Sequence, residues 1–290
     1  MIAITEFEGD TLFLRIVSHL GPIESKVPPM TLATIADLHR FPIQEKPFQT
    51  ACRSTLEQTG VLVLNGFLKP PIVRAIYDEG LANRQHAYFC EQSHNVYLMP
   101  PDNSYPKDHP RNREIVSTKG CICDDIIDAN SPLKRLYKDI AFKNFLCYIL
   151  GESALFEYAD PLSSINLHYA DPGQELGWHF DNSSFATTLM IDAPEQGGAF
   201  EYVISLRDAD SGDMNFNGVA DVLEGRRSVQ TLQIEAGDLV VFRGRNALHR
   251  VAPVGGSKTR MLVVLAYNSE PGIALSEQAR LTFFGRTGSL

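Results

Sequence analysis

No uninterrupted apolar run in this 290-residue chain approaches the roughly 20 residues that a membrane-crossing helix needs. Basic residues are scarce as well: 26 Lys and Arg stand against 35 Asp and Glu, a formal net charge of −9. Binding to a nucleic-acid backbone needs clustered cations, so the charge balance argues against electrostatically driven nucleic-acid binding. Cysteine is sparse, five in all, at Cys52, Cys90, Cys121, Cys123 and Cys147. The odd count and scattered spacing make no disulfide framework, and Cys121-Ile-Cys123 is tighter than the usual zinc pair. Reduced, buried thiols in a cytoplasmic protein are the expectation. The opening MIAITEFEGD carries three acidic residues and no basic one, which does not fit a secretory leader. Internal repeats and low-complexity stretches are lacking too. With 44% hydrophobic and 21% charged residues, the composition is that of a globular chain, not a disordered one.

The sequence changes character near residue 155. Before it, helical signals dominate. Pro47–Thr59 reads as a helix stopped by Gly60, Val61–Leu64 as a short strand, and Pro70–Ala82 as a helix with proline in its first turn. Ser131–Leu150 reads as one long helix, capped by Ser131 and stopped by Gly151. After residue 155 the pattern turns to short strands between turn signals: Ser164–Tyr169, Phe185–Ile191, Ala199–Ser205, Ser228–Ile234, Asp238–Phe242 and Met261–Tyr267. Such spacing suits a barrel or jelly roll. Arg207–Arg227 reads as a long loop across the mouth of the sheet, with a short helix at Val219–Leu223. The expectation is one α+β domain over residues 1–290, mainly β at its core. Residues 1–155 form a largely helical part packed on one sheet, 156–270 a jelly-roll core and 271–290 a C-terminal tail.

The chemistry gathers in His179-Phe180-Asp181, with His249 far downstream and Arg260 eleven residues after that. In an extended stretch, residues two apart point the same way, so His179 and Asp181 can aim at one ion. Two imidazoles and a carboxylate can hold one face of Fe(II) and leave the other positions for O2 and a bidentate co-substrate. A guanidinium fork such as that of Arg260 holds a carboxylate by two parallel hydrogen bonds, which is what the far end of a 2-oxo acid requires. Singly, each of these is an ordinary polar residue at a strand end, and a different metal in a cupin-like site stays open.

The order of these four residues resembles the Fe(II)/2-oxoglutarate-dependent dioxygenases. The stretch INLHYADPGQELGWHFDNSSFATTLMIDAPEQGGAFEYV, with SPLKRLYKDIAFKNFL before it and NFNGVADVLEG and ALHRVAPVGGSKTRMLVVLAYNSEPG after it, is similar to the free-amino-acid halogenases and their hydroxylase relatives. The likeness covers roughly residues 85–275. It implies a double-stranded β-helix, or jelly roll, with iron on His179, Asp181 and His249 and 2-oxoglutarate gripped by Arg260. It also implies O2 as second co-substrate and succinate and CO2 as products. The halogenases carry Gly or Ala where Asp181 stands, which leaves room for chloride. With a carboxylate there, the implied outcome is hydroxylation of an unactivated C–H bond in a small polar metabolite, most simply a free amino acid or derivative. Desaturation or ring closure at the same centre, and a non-catalytic sensing module, are the alternatives.

Other positions are expected to complete the site. Asn166 and His168 alternate with Ile165, Leu167 and Tyr169, so the polar pair faces the interior if the apolar set packs on helices. Asn166 and Thr188 are then candidates for the co-substrate pocket, and His168 for substrate. Asn182 replaces the acidic side chain expected near here in lysine-acting relatives, which disfavours a cationic substrate tail. Arg111, Arg113 and His94 lie with Tyr97 in a loop-rich region, where an arginine or histidine could meet a substrate carboxylate. Trp178, the only tryptophan, abuts His179 and reads as packing that orients the ligand, at the edge of the substrate site. The Asp208, Asp210 and Asp213 run reads as a solvated turn. A small molecule is the expected partner; the oligomeric state is open, a homodimer included.

Overall fold

Glycines in the left-handed region end two helices where the sequence places their stops, Gly60 at φ 72° and Gly151 at φ 79°. The computed structural model describes residues 30–290; the MIAITEFEGD start and most of the first forty residues lie outside the described part. The N-terminal part holds α1 (Leu32–Ile35), α2 (Lys46–Thr59), β1 (Val61–Leu64) and α3 (Pro70–Asn83). It continues through β2 (Tyr88–His94), β3 (Ile115–Ile122), α4 (Pro132–Lys138) and α5 (Ile140–Leu150). Next come β4 (Ile165–Ala170), β5 (Leu176–His179), β6 (Ala186–Asp192), β7 (Gln196–Gly197), β8 (Phe200–Val203) and α6 (Phe216–Leu223). The chain closes with β9 (Gln230–Leu232), β10 (Leu239–Phe242), β11 (Leu248–Val251), β12 (Val254–Gly255), β13 (Arg260–Leu265) and α7 (Glu277–Phe284).

Two antiparallel sheets face each other. The larger runs β1-β10-β6-β13-β4-β3-β2 and the smaller β5-β11-β8-β9, with β7 and β12 as a short separate pair. Alternation divides the side chains of the larger sheet. Leu62, Ile165, Leu167, Tyr169, Leu189, Leu239, Val241 and Val263 join one core with the helices. Val61, Met190, Val240, Phe242 and Leu262 join another with Tyr202, Phe200 and Leu232 of the smaller sheet. The architecture is the expected jelly roll with helices on one sheet.

Three differences from the sequence reading have physical causes. The helix expected over Ser131–Leu150 is broken at Asp139, which sits at φ −67°, ψ 125° and accepts hydrogen bonds at Oδ1 from the amides of Ala141 and Phe142. A side chain that caps a new helix competes with continuing the old one. Strands β2 and β3 lie within the stretch expected to be mainly helical; they extend the larger sheet through the Cys121–His168 and Ile122–Leu167 pairs. The C-terminal tail contains α7, whose Phe284 is buried with Cys121, Cys123 and Leu162. All five cysteines are free; Cys52, Cys121 and Cys123 are buried and Cys90 and Cys147 half-buried.

Candidate metal centre

Strands β5 and β11 are neighbours, and their register sets His179 directly opposite His249. The two rings lie 4.2 Å apart between centroids. His179 Nδ1 is 2.7 Å from the carbonyl of Gly177, and His249 Nδ1 is 3.0 Å from that of Ala247. Each Nδ1–H donates to its carbonyl, which leaves both Nε2 lone pairs free for a metal. Burial, reinforced by His249, pulls the His179 pKa down to about 3, so this ring is neutral through the neutral range. Phe200 and Phe242 wall His249 at 5.5 and 4.9 Å.

Asp181 follows the end of β5. Its amide donates to the Gly244 carbonyl at 3.2 Å. Its Oδ1 lies 3.7 Å from His179 Nε2 and 3.5 Å from His249 Nε2. Its Oδ2 is buried without a hydrogen-bond partner among the described residues. Burial raises the carboxyl pKa, but the two imidazoles and Arg207 outweigh it, and the net shift is downward, toward the carboxylate. The three ligand atoms lie within 4.8 Å of one another. Two free imidazole nitrogens and an orphaned carboxylate oxygen form a donor set that fits a ferrous ion.

Arg260 opens β13 on the inner face of the larger sheet, in line with Leu262. It is buried at 6% exposure, its Nε has no partner, and no carboxylate among the described residues pairs with it. Burial lowers its pKa to about 10, still far above neutrality, so it remains a cation. An unpaired buried guanidinium is costly unless an anion completes it.

The remaining expected residues divide. Asn166 and His168 do face inward, because Ile165, Leu167 and Tyr169 are taken by the helices. Asn166 donates its amide to the carbonyls of Leu162 and Ile165. His168 lies across from Cys121, its pKa lowered first by burial and then by Lys119. Thr188 is half-buried between Val240 and Val264 on the inner face. Trp178 points to the other face of its strand, against Val96, Phe180 and Leu248 and under Arg250 at 4.9 Å. It therefore packs the strand that carries His179 on the face opposite that histidine. Asn182 is exposed, with its carbonyl accepting from Arg245. Arg111 is buried with Nη1 unpartnered, whereas Arg113 is half-buried without a side-chain partner among the described residues. Sequence reasoning missed Gly244 and Arg207. A Cβ on Gly244 would lie 1.8 Å from Asp181 Oδ2. Arg207 stacks on Phe180 at 4.2 Å and donates to the Asp181 carbonyl. Neither carries a local motif; both are defined by a neighbour distant in the chain.

A jelly roll whose sheets enclose a His–Asp–His cluster on one side and a buried arginine without a carboxylate partner on the other defines the class of 2-oxoglutarate-dependent Fe(II) oxygenases. The chain belongs to the halogenase D family, whose model matches residues 44–279. The fold recurs in solved structures of low identity. A carbocyclase from nogalamycin biosynthesis, SnoK, described as non-haem and alpha ketoglutarate dependent, is 12% identical over 91% of this chain and 96% of that one, with a TM-score of 0.53. The epimerase SnoN, in complex with Fe3+, alpha ketoglutarate and nogalamycin RO, is 13% identical over 85% and 96%, TM-score 0.53. A prolyl hydroxylase from Trichoplax adhaerens, in complex with a hypoxia inducible factor peptide fragment, is 13% identical over 79% and 91%, TM-score 0.52. These likenesses show the fold. A search of curated proteins finds no match.

Proposed function

We propose that the chain hydroxylates an unactivated C–H bond of a small polar metabolite, a free amino acid or close derivative, with succinate and CO2 as co-products. The observation that carries this reading is Asp181, whose Oδ1 stands 3.5 and 3.7 Å from the two imidazole nitrogens. His179, Asp181 and His249 would hold the iron, and the carboxylate fills the place that a halide takes in the halogenase relatives. When bound, iron supplies the activation of O2 against 2-oxoglutarate that C–H oxidation requires. Arg260 holds the distal carboxylate of 2-oxoglutarate and orients it, with Thr188 on the same inner surface. Arg111 has a free buried donor for a substrate carboxylate. Asn182 presents no charge to a cationic tail. The aromatic rings of Phe200 and Phe242 keep water from the His249 side.

The test is mass spectrometry after aerobic incubation of the purified protein with Fe(II), 2-oxoglutarate and the proteinogenic amino acids. One amino acid should gain a single oxygen atom, and Asp181→Ala should lose this product. Loss of two hydrogens instead would assign desaturation or cyclisation. Wild-type product formation by Asp181→Ala would refute the ligand role.

A further inference from the structure

The strand that carries His179 is the outermost strand of the smaller sheet, so one of its edges lacks a partner within that sheet. The larger sheet closes that edge, but not with a regular ladder. Thr118 donates its amide to the Glu175 carbonyl at 2.8 Å, and the Glu175 amide donates to Thr118 Oγ1 at 3.1 Å. The next contact along is Gly177 N–H to Ser117 Oγ at 2.9 Å. Two hydroxyls of β3 thus stand where backbone carbonyls would stand in a ladder. The approach requires a glycine: a Cβ on Gly177 would lie 2.3 Å from Ile115 Cγ2 and 2.4 Å from the Val116 carbonyl.

Ser117 is itself held. Its Oγ is 2.7 Å from His94 Nε2, and His94 Nδ1 is 3.1 Å from the Asn95 carbonyl. The directions are mutually consistent. His94 Nδ1–H donates to Asn95, which makes Nε2 an acceptor; the Ser117 hydroxyl donates to it; the Ser117 lone pairs then accept from Gly177. Gly177 is fixed on its other side by His179 Nδ1, which donates to its carbonyl. The His94 ring also meets the His179 ring nearly at right angles, at 6.3 Å and 82°. His249 has only its own Ala247 carbonyl for the same purpose. The sequence reading set His94 in a loop that could meet substrate; instead it ends β2, half-buried, with both ring nitrogens committed.

We propose that His94 and Ser117 are positioning residues of the metal centre: they set the place and ring orientation of His179 through Gly177. The inference rests on His179 being an iron ligand. Partners that orient metal-bound histidines typically change metal affinity about 10–100-fold when removed.

The experiment measures Fe(II) affinity of the anaerobic protein by competition with a chromophoric chelator, alongside thermal unfolding of the metal-free protein. Ser117→Ala and His94→Phe should each weaken Fe(II) binding about tenfold. Because they act in series, the double variant should be no weaker than the poorer single variant. His94→Gln, whose amide oxygen can accept from Ser117, should recover to within about threefold of wild type on the same scale. Single variants that keep wild-type affinity, or a double variant whose losses multiply, would overturn the inference. If affinity falls only in step with unfolding temperature, and His94→Gln does not recover, the role is structural and the inference fails. A wild-type protein that binds no iron refutes the metal centre itself, whereas unaffected variants of an iron-binding wild type refute the positioning alone.

Discussion

Asp181 keeps its place because the backbone across from it has no side chain. A methyl group on Gly244 would fall 1.8 Å from Asp181 Oδ2, so Gly244→Ala must push the carboxylate away from the imidazoles. Iron affinity should drop about tenfold or more, measured against a chelator, since orienting contacts carry losses of that order. An affinity within a factor of about two would show that the loop yields instead. Arg260→Met keeps a buried, unbranched side chain and removes the cation. It should raise the 2-oxoglutarate KM at least about tenfold, the scale of a charged hydrogen-bonded contact, and should cancel the thermal upshift that 2-oxoglutarate gives the iron-loaded protein. An undiminished upshift would take the distal carboxylate away from Arg260. At this scale the sequence is most legible. Metal ligation and carboxylate binding need particular side chains, and His179, Asp181, His249 and Arg260 announce themselves by type and order. Gly244, Ser117 and His94 do not, because each acts on an atom brought close only by folding.

Elements were readable where punctuation is local. Glycine stops, proline in first turns and alternating apolar residues placed α2, α3, β1, β6, β10 and β13 within a few residues. The break at Asp139 was not readable, since aspartate in mid-helix and aspartate as a cap share one sequence pattern. Strand β2 was hidden for another reason: Tyr88–His94 lies at the sheet edge with several residues exposed, so it shows no buried face. One ion pair ties the end of α3 to the residue that follows β4, and Thr259, just before β13, joins it. Arg84 and Thr259 both donate to Asp171, Arg84 at 2.7 and 2.8 Å and Thr259 at 2.6 Å. Burial raises the Asp171 pKa, but these donors outweigh it and leave it below the usual carboxylate range. A lowered carboxyl pKa gives stability that is present above the unfolded value near 4 and is lost as pH falls through the folded value. With both partners about one-third exposed, Asp171→Asn should cost about 1 kcal/mol or less at pH 7. Urea unfolding at pH 7 and near pH 3.5 measures it; a cost that grows on acidification contradicts the sign.

At the scale of the whole molecule, the space between the sheets serves two ends at once. Phe242 packs edge-on to Phe200 at 4.9 Å and to His249 at 4.9 Å, so the inter-sheet core is also the wall of the metal centre. Phe242→Ala should destabilise the metal-free protein by about 3–5 kcal/mol in chemical denaturation, the cost of a large buried ring. A loss under about 1 kcal/mol would mean that the sheets close without it. The spacing of strands and helices was enough to point to a barrel or jelly roll behind a helical part, because alternation and turn chemistry are local properties repeated along the chain, and the family resemblance implied the jelly roll. The candidate His179–Asp181–His249 cluster and Arg260 were equally inherent in the order of residues. Which surfaces meet was settled only by the fold. The His179–His249 register, the orphaned atoms of Asp181 and Arg260, the turn of Trp178 to the rear face and the Ser117 bridge all depend on distances between remote segments. Such distances follow from the packing of two sheets and are written in no single stretch.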